Sequence, residues 1–268
     1  MSGPLVSDDL WRLIEPLIPK RKPRPRGRRP PISDRMVLTG ILFVLKSGIP
    51  WEMLPQEMGC GSGMTCWRRL RDWQTTGVWG QLHQTLLNEL RKLDQIDWSR
   101  ATIDSGTVRA VGGGEKTGQN PTDRGKPGSK HHVLTDAIGI PLNAILTGAN
   151  RHDVTQLLPL IDNAPSVSGK AGDPKKHPAS IYADRAYDSE HHRQELRHRG
   201  IEPHLAERNT THGSGLGVYR WVVERTISWP HQFRRLRVRF ERRKDIHEAF
   251  MALAESLVCF RGLKQEFC

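Results

Sequence analysis

The chain is short of acid, of cysteine and of long apolar runs. It carries 29 Asp and Glu against 41 Lys and Arg, for a formal net charge of +12. An imbalance of this size says little about fold and much about partners. It selects a polyanion, either nucleic acid or an anionic membrane surface. The membrane is the weaker choice, because no run approaches the ~20 consecutive apolar residues of a spanning helix. The best apolar stretch, Met36 to Leu45, contains Thr39 and Gly40 and is flanked by charge. The opening "MSGPLVSDDLW" has no basic segment followed by an apolar one, so no signal peptide is expected. The four cysteines, Cys60, Cys66, Cys259 and Cys268, form no CxxC pair, and the 12 histidines follow no ligand spacing. That excludes a structural zinc site of ordinary spacing and leaves reduced thiols as the expectation.

What is present suggests one large domain or two modest ones: 268 residues, 36% hydrophobic, with the apolar residues in periodic runs. In "SDDLWRLIEPLI" Ser7 is a candidate N-cap, and Pro16 limits the helix. The arm "PKRKPRPRGRRPP", residues 19–31, has no apolar side chain except proline and is expected to stay extended and solvated until it meets phosphate. A second helix follows from Ser33 to a stop at Gly48, with Met36, Val37, Ile41, Leu42, Val44 and Leu45 on its buried side. A third helix, about 65–75, turns Trp67, Leu70 and Trp73 inward and Arg68, Arg69 and Arg71 outward; a fourth spans about 78–93. From Trp98 the pattern changes to β-branched residues, hairpin signals near 137–139, and then strands alternating with helices. The order of elements predicts a mixed sheet with helices packed on it. The fold class is therefore α+β, with a helical domain over 1–96 and an α/β domain over 97–268.

Two acids do not look structural. Asp104 in "ATIDSGTV" and Asp184 in "SIYADRAYD" each follow a run of β-type residues, and aspartate suits a strand interior poorly. At adjacent strand ends such carboxylates come within reach of one cation, which removes their mutual repulsion. Glu224, on a helix expected over the stretch from Tyr219, could supply a third oxygen ligand. Hard oxygen ligands with open positions suit Mg²⁺ or Mn²⁺. Two such ions, roughly 3.5–4 Å apart, can drive phosphodiester chemistry.

Four stretches carry a family resemblance: "GIPWEMLP" with the Trp67–Trp73 helix, "TIDSGTVRA", "YADRAYDS", and "RWVVERTISWPHQFRRLRVRFERR". In these the chain resembles the bacterial DDE transposases of the insertion-sequence-5 family. The resemblance implies a ribonuclease-H-like catalytic domain, two divalent metal ions, and a helix-turn-helix domain that binds transposon ends. It implies Asp104, Asp184 and Glu224 as the catalytic, metal-binding acids. It also implies a cytoplasmic, nucleoid-associated enzyme that works on double-stranded DNA as a dimer or larger assembly, with no membrane partner. Binding of terminal inverted repeats, cleavage at the ends and transfer of the 3′-hydroxyls to target DNA would follow. The alternative is a non-catalytic DNA-binding regulator derived from such an enzyme. One departure stands out: Arg220 fits the wider pattern around the glutamate, but Gly217 and His231 occupy its usual Tyr and Lys positions.

The arginines supply the expected DNA contacts. Arg24, Arg26, Arg28 and Arg29 lie in an Arg-Gly-Arg arm that resembles a minor-groove hook, or that holds phosphate without sequence preference. Arg68, Arg69 and Arg71 are expected at the major groove or its phosphates. Arg220 either pairs with Glu224 or holds phosphate. The run from Arg234 to Arg243 reads either as an exposed helix paired with Glu241 and Asp245 or as a grip on phosphate. Its density of like charge favours the grip, with Arg234 and Arg235 as the candidates.

Overall fold

Serine caps set the helical starts. Helix α1 (Asp8–Ile14) begins where Ser7 accepts the Leu10 N–H at 3.3 Å, and it passes into a 3-10 turn at Pro16. Ser33 caps α2 (Asp34–Ser47), which ends on Gly48 at φ +76°, a left-handed position that glycine occupies without steric cost. Ser62 caps α3 (Gly63–Thr75), and α4 (Val78–Lys92) follows after one turn. The computed structural model describes residues 3–20, 31–208 and 232–264. The arm arginines Arg24, Arg26, Arg28 and Arg29 lie outside the described residues, as do Gly217, Arg220, Glu224 and His231.

Gly63 is needed for a close approach. A Cβ on it would lie 1.8 Å from the backbone oxygen of Trp51, which belongs to a 3-10 turn facing the start of α3. Gly63→Ala is expected to destabilise the fold by about 1–3 kcal/mol, the usual cost of overpacking. An unchanged urea midpoint would mean that the Trp51 turn gives way freely.

Among the described residues the second half is built on one mixed, seven-stranded sheet. Strand β1 (Ala101–Ala110) runs antiparallel to β3 (Pro127–Asp136), which pairs in turn with β4 (Pro141–Gly148). On its other side β1 runs parallel to β5 (Ser180–Ala183), and β5 parallel to β6 (Glu202–Leu205). A two-residue β2 (Gly118–Gln119) extends β3. Helices α5 (Leu157–Asp162) and α6 (Glu190–His198) form the crossovers, as the alternating pattern predicts.

The arginine-rich stretch departs from the helix expected of it. Among its described residues only Arg234–Arg237 is helical (α7), and Val238–Arg239 then forms β7, parallel to the far end of β1. Helix α8 (Lys244–Leu263) follows. It packs on α3, α4 and β4, and one hydrophobic core runs from Leu10 through Trp79 to the sheet. Trp51 stacks on Phe250 of α8 with ring centroids 5.8 Å apart, which joins the N-terminal helices to α8. Trp67, expected inside, is only half-buried and carries the guanidinium groups of Arg71 and Arg243 over its ring at 5.5 and 5.7 Å. Met36, expected on the buried side of α2, is 36% exposed. Among the described residues no helix is long and apolar enough to cross a membrane.

Candidate active site

Parallel pairing places the two aspartates. Ala101 lies opposite Ile181 and Thr102 opposite Tyr182, and continuing that register brings Asp104 level with Asp184. Asp184 stands just past β5, where its side chain accepts the Ala186 N–H at 2.9 Å and opens a 3-10 turn, Arg185–Tyr187. Asp104 is not at a strand end, contrary to expectation. It is the fourth residue of a ten-residue strand, because β1 keeps pairing with β3 as far as Arg109. Both carboxylates are partly exposed. The level at which β5 stops is therefore the level that both aspartates share, each partly exposed.

Further residues shape this corner. The Ser105 N–H donates to Asp104 at 2.7 Å, while the Ser105 hydroxyl donates to Asp153 at 2.7 Å. Asp153 also receives the Lys130 ammonium at 3.0 Å, so its charge is already answered. His132, behind it, bonds to Thr147 at 2.8 Å. Burial pulls the His132 pKa down to about 4, so the ring is neutral near pH 7. Tyr187 closes the 3-10 turn through its N–H to the Asp184 oxygen at 3.0 Å and is fully buried. Among the described residues its hydroxyl has no hydrogen-bond partner. Burial, and then the charges of Asp153, Asp104 and Asp184, hold its pKa well above the ordinary value, so the phenol remains a donor.

Sequence reading missed Asp153 and Tyr187. Asp153 opens a helical turn in "RHDVTQLL", where an acid looks like a helix start. Tyr187 carried a usable signal, since it lies three residues after Asp184 on a turn that a strand end would require. Among the described residues no group of three or more His, Cys, Asp or Glu side chains is arranged to hold a metal ion by itself. The expected third acid, Glu224, lies outside the described residues.

The arginines divide in two. Arg68 is exposed on α3, Arg69 lies 4.0 Å from Asp34, and Arg71 bonds to Asp72 at 2.7 Å. Arg234 is exposed, but the expectation that Arg235 holds phosphate does not fit its position. Arg235 is 6% exposed, donates to Glu241 at 2.7 Å, and reaches the oxygens of Gly48 and Ile49 at 3.3 and 3.0 Å. Arg239 is buried as well, bonded to Ser129 at 2.8 Å and to the Glu241 oxygen at 2.9 Å. Arg243 pairs with Asp245 at 2.7 Å. The reading of this stretch as arginines paired with Glu241 and Asp245 was thus partly right, but on a turn and a strand inside the fold. Like charges are tolerated there because acids and carbonyls answer them one by one.

Residues 99–259 match the family model described as "Transposase DDE domain", and residues 6–83 match "Putative transposase of IS4/5 family". The chain is 64% identical over 153 residues to "Putative transposase for insertion sequence element IS402" of Burkholderia cepacia, covering 57% of this chain and 72% of that protein. It is 61% identical over 124 residues to "Insertion element IS402 uncharacterized 16.2 kDa protein" of the same organism, covering 45% of this chain and 84% of that one. Among solved structures, "Crystal structure of the Mos1 mariner paired end complex with Mn" aligns over 91% of this chain and 78% of that chain, with a TM-score of 0.36 and 12% identity.

Proposed function

The chain belongs to the DDE transposases, and from that premise we propose that it binds the terminal inverted repeats of an insertion sequence, cuts DNA at the ends and joins the freed 3′-hydroxyls to target DNA. The observation that carries this reading is the level placement of Asp104 and Asp184 on adjacent parallel strands. Two carboxylates so placed repel one another, and a divalent cation relieves that. The donor set fits Mg²⁺ or Mn²⁺: hard oxygens, few in number, open to solvent on one side. We assign Asp104, Asp184 and Glu224 to a pair of such ions, which when bound supply activation of the attacking oxygen and stabilisation of the leaving one. Cleavage and strand transfer are both in-line displacements at phosphorus, so one site serves both.

The strand order β4-β3-β1-β5-β6, antiparallel then parallel, supports a ribonuclease-H-like catalytic domain over 97–268. For the helical domain over 1–96 we propose a helix-turn-helix role, with α3 presenting Arg68, Arg69 and Arg71 to DNA. Arg24, Arg26, Arg28 and Arg29 of the arm, with Arg220 and Arg234, would add phosphate or groove contacts. Two ends must be held together, which calls for a dimer or larger assembly on DNA.

The test is a supercoiled plasmid carrying the element's ends, incubated with protein and Mg²⁺. Nicks at the ends and 3′-joined products are expected, with all cutting lost in EDTA while a mobility shift on the same DNA persists. Equal nicking of a plasmid without the ends would point to a general nuclease instead. Binding with no cutting would point to a regulator.

A further inference from the structure

The residues around Asp104 and Asp184 contain a buried donor that the proposed chemistry has not used. Tyr187 is fully buried, its hydroxyl has no partner among the described residues, and the charged groups acting on it are Asp153, Asp104 and Asp184. A buried hydroxyl with nothing to bond to is costly, and native folds rarely keep one without a use. Ser105 stands beside this hydroxyl, but its own hydrogen goes to Asp153, and no hydrogen bond of ordinary geometry joins it to the Tyr187 oxygen. Asp153 in turn is held by Lys130 at 3.0 Å and Ser105 at 2.7 Å, so it is fixed in place and already neutralised. Its partner Ser105 is the same residue whose N–H holds Asp104 at 2.7 Å. Asp153 therefore reaches Asp104 through one residue, and Tyr187 reaches Asp184 through one short turn.

We propose that Tyr187 and Asp153 are positioning residues of the metal site. The Tyr187 hydroxyl donates to an oxygen in the shell of a divalent ion held by Asp104 and Asp184, and Asp153, through Ser105, fixes the Asp104 carboxylate that faces it. This rests on the reading of Asp104 and Asp184 as metal ligands. It adds a supporting pair that neither the acidic triad nor the charge pattern announces. Groups of this kind orient the ligands of a metal site, and their loss commonly weakens metal affinity without unfolding the protein.

The experiment is a Mn²⁺ titration of the full chain, reading the free ion by electron paramagnetic resonance, alongside thermal melting without metal. Tyr187→Phe is expected to melt at or above the wild-type temperature, since it removes only an unsatisfied group, yet to bind Mn²⁺ about fivefold more weakly, the scale of one hydrogen bond. Asp153→Asn is expected to weaken Mn²⁺ binding in the same direction. A purely structural tyrosine would show the reverse: a lower melting temperature and unchanged Mn²⁺ affinity, which would overturn the proposal. Asp104→Asn and Asp184→Asn separate the two levels. If they lose Mn²⁺ and Tyr187→Phe and Asp153→Asn do not, this proposal alone falls. If they bind Mn²⁺ like wild type, the metal-site reading falls and takes the proposal with it.

Discussion

Asp104→Asn and Asp184→Asn are each expected to lower Mg²⁺-dependent cleavage of end-bearing DNA by on the order of a thousandfold, the loss of several kcal/mol of transition-state stabilisation. Binding to the same DNA should survive. The substitution keeps the shape of each side chain and removes only its charge. Neither aspartate is needed to hold the sheet, because β1 stays paired to β3 along its length and β5 to β6. The local bonds can also survive: the amide oxygen can still accept from the Ser105 N–H or the Ala186 N–H. The check is a nicking time course at fixed protein concentration, paired with a mobility shift and a thermal melt. Wild-type nicking by either variant would remove that residue from the catalytic site.

The largest stability effect is expected at Glu241. It is 6% exposed, its carboxylate accepts the Arg235 guanidinium at 2.7 Å, and its other oxygen lies 3.6 Å from His247. His247 in turn lies 2.8 Å from His131, and both rings are buried. Burial alone would raise the Glu241 pKa, but His247 and Arg235 outweigh it and hold the group below the ordinary glutamate value. Glu241→Ala strands the Arg235 charge in the interior, at a cost of about 3–5 kcal/mol. Against the usual ~5–15 kcal/mol of a folded domain, that is about a fifth or more of the total. Equilibrium urea unfolding measures it. The double change Glu241→Leu with Arg235→Met is expected to recover much of the loss, since it removes both charges at once. A cost below about 1 kcal/mol for Glu241→Ala would mean that the cluster is solvated, as surface pairs are.

The two predictions concern parts of the chain that differed in how legible they were. The helices could be read because their caps are local. Ser33 and Gly48 mark the ends of α2, and Lys244–Leu263 forms the helix its periodicity predicts. The hairpin of β3 and β4 turned where the glycine signal lay. Asp104 and Asp184 could be singled out because aspartate is out of place after β-type residues, although only the parallel register shows that they lie level. Arg235 and Arg239 were not legible. Their partners, Gly48, Ile49, Ser129 and Glu241, are mostly far along the chain, and a run of arginine looks solvated unless those partners are known. Asp153 failed for the same reason, since it meets Ser105 from 48 residues away, whereas Tyr187 was overlooked despite its local turn.

The packing of α8 onto α3 and α4, with Trp51 against Phe250, also has a temporal meaning. A ribosome makes α2 to α4 well before α8. Until α8 emerges, the apolar faces it covers have no lid, and the arginine tie to the end of α2 has not been made. Contacts this distant in sequence form late and slowly. The helical face proposed for DNA therefore matures only once α8 has been made, together with the sheet it packs on.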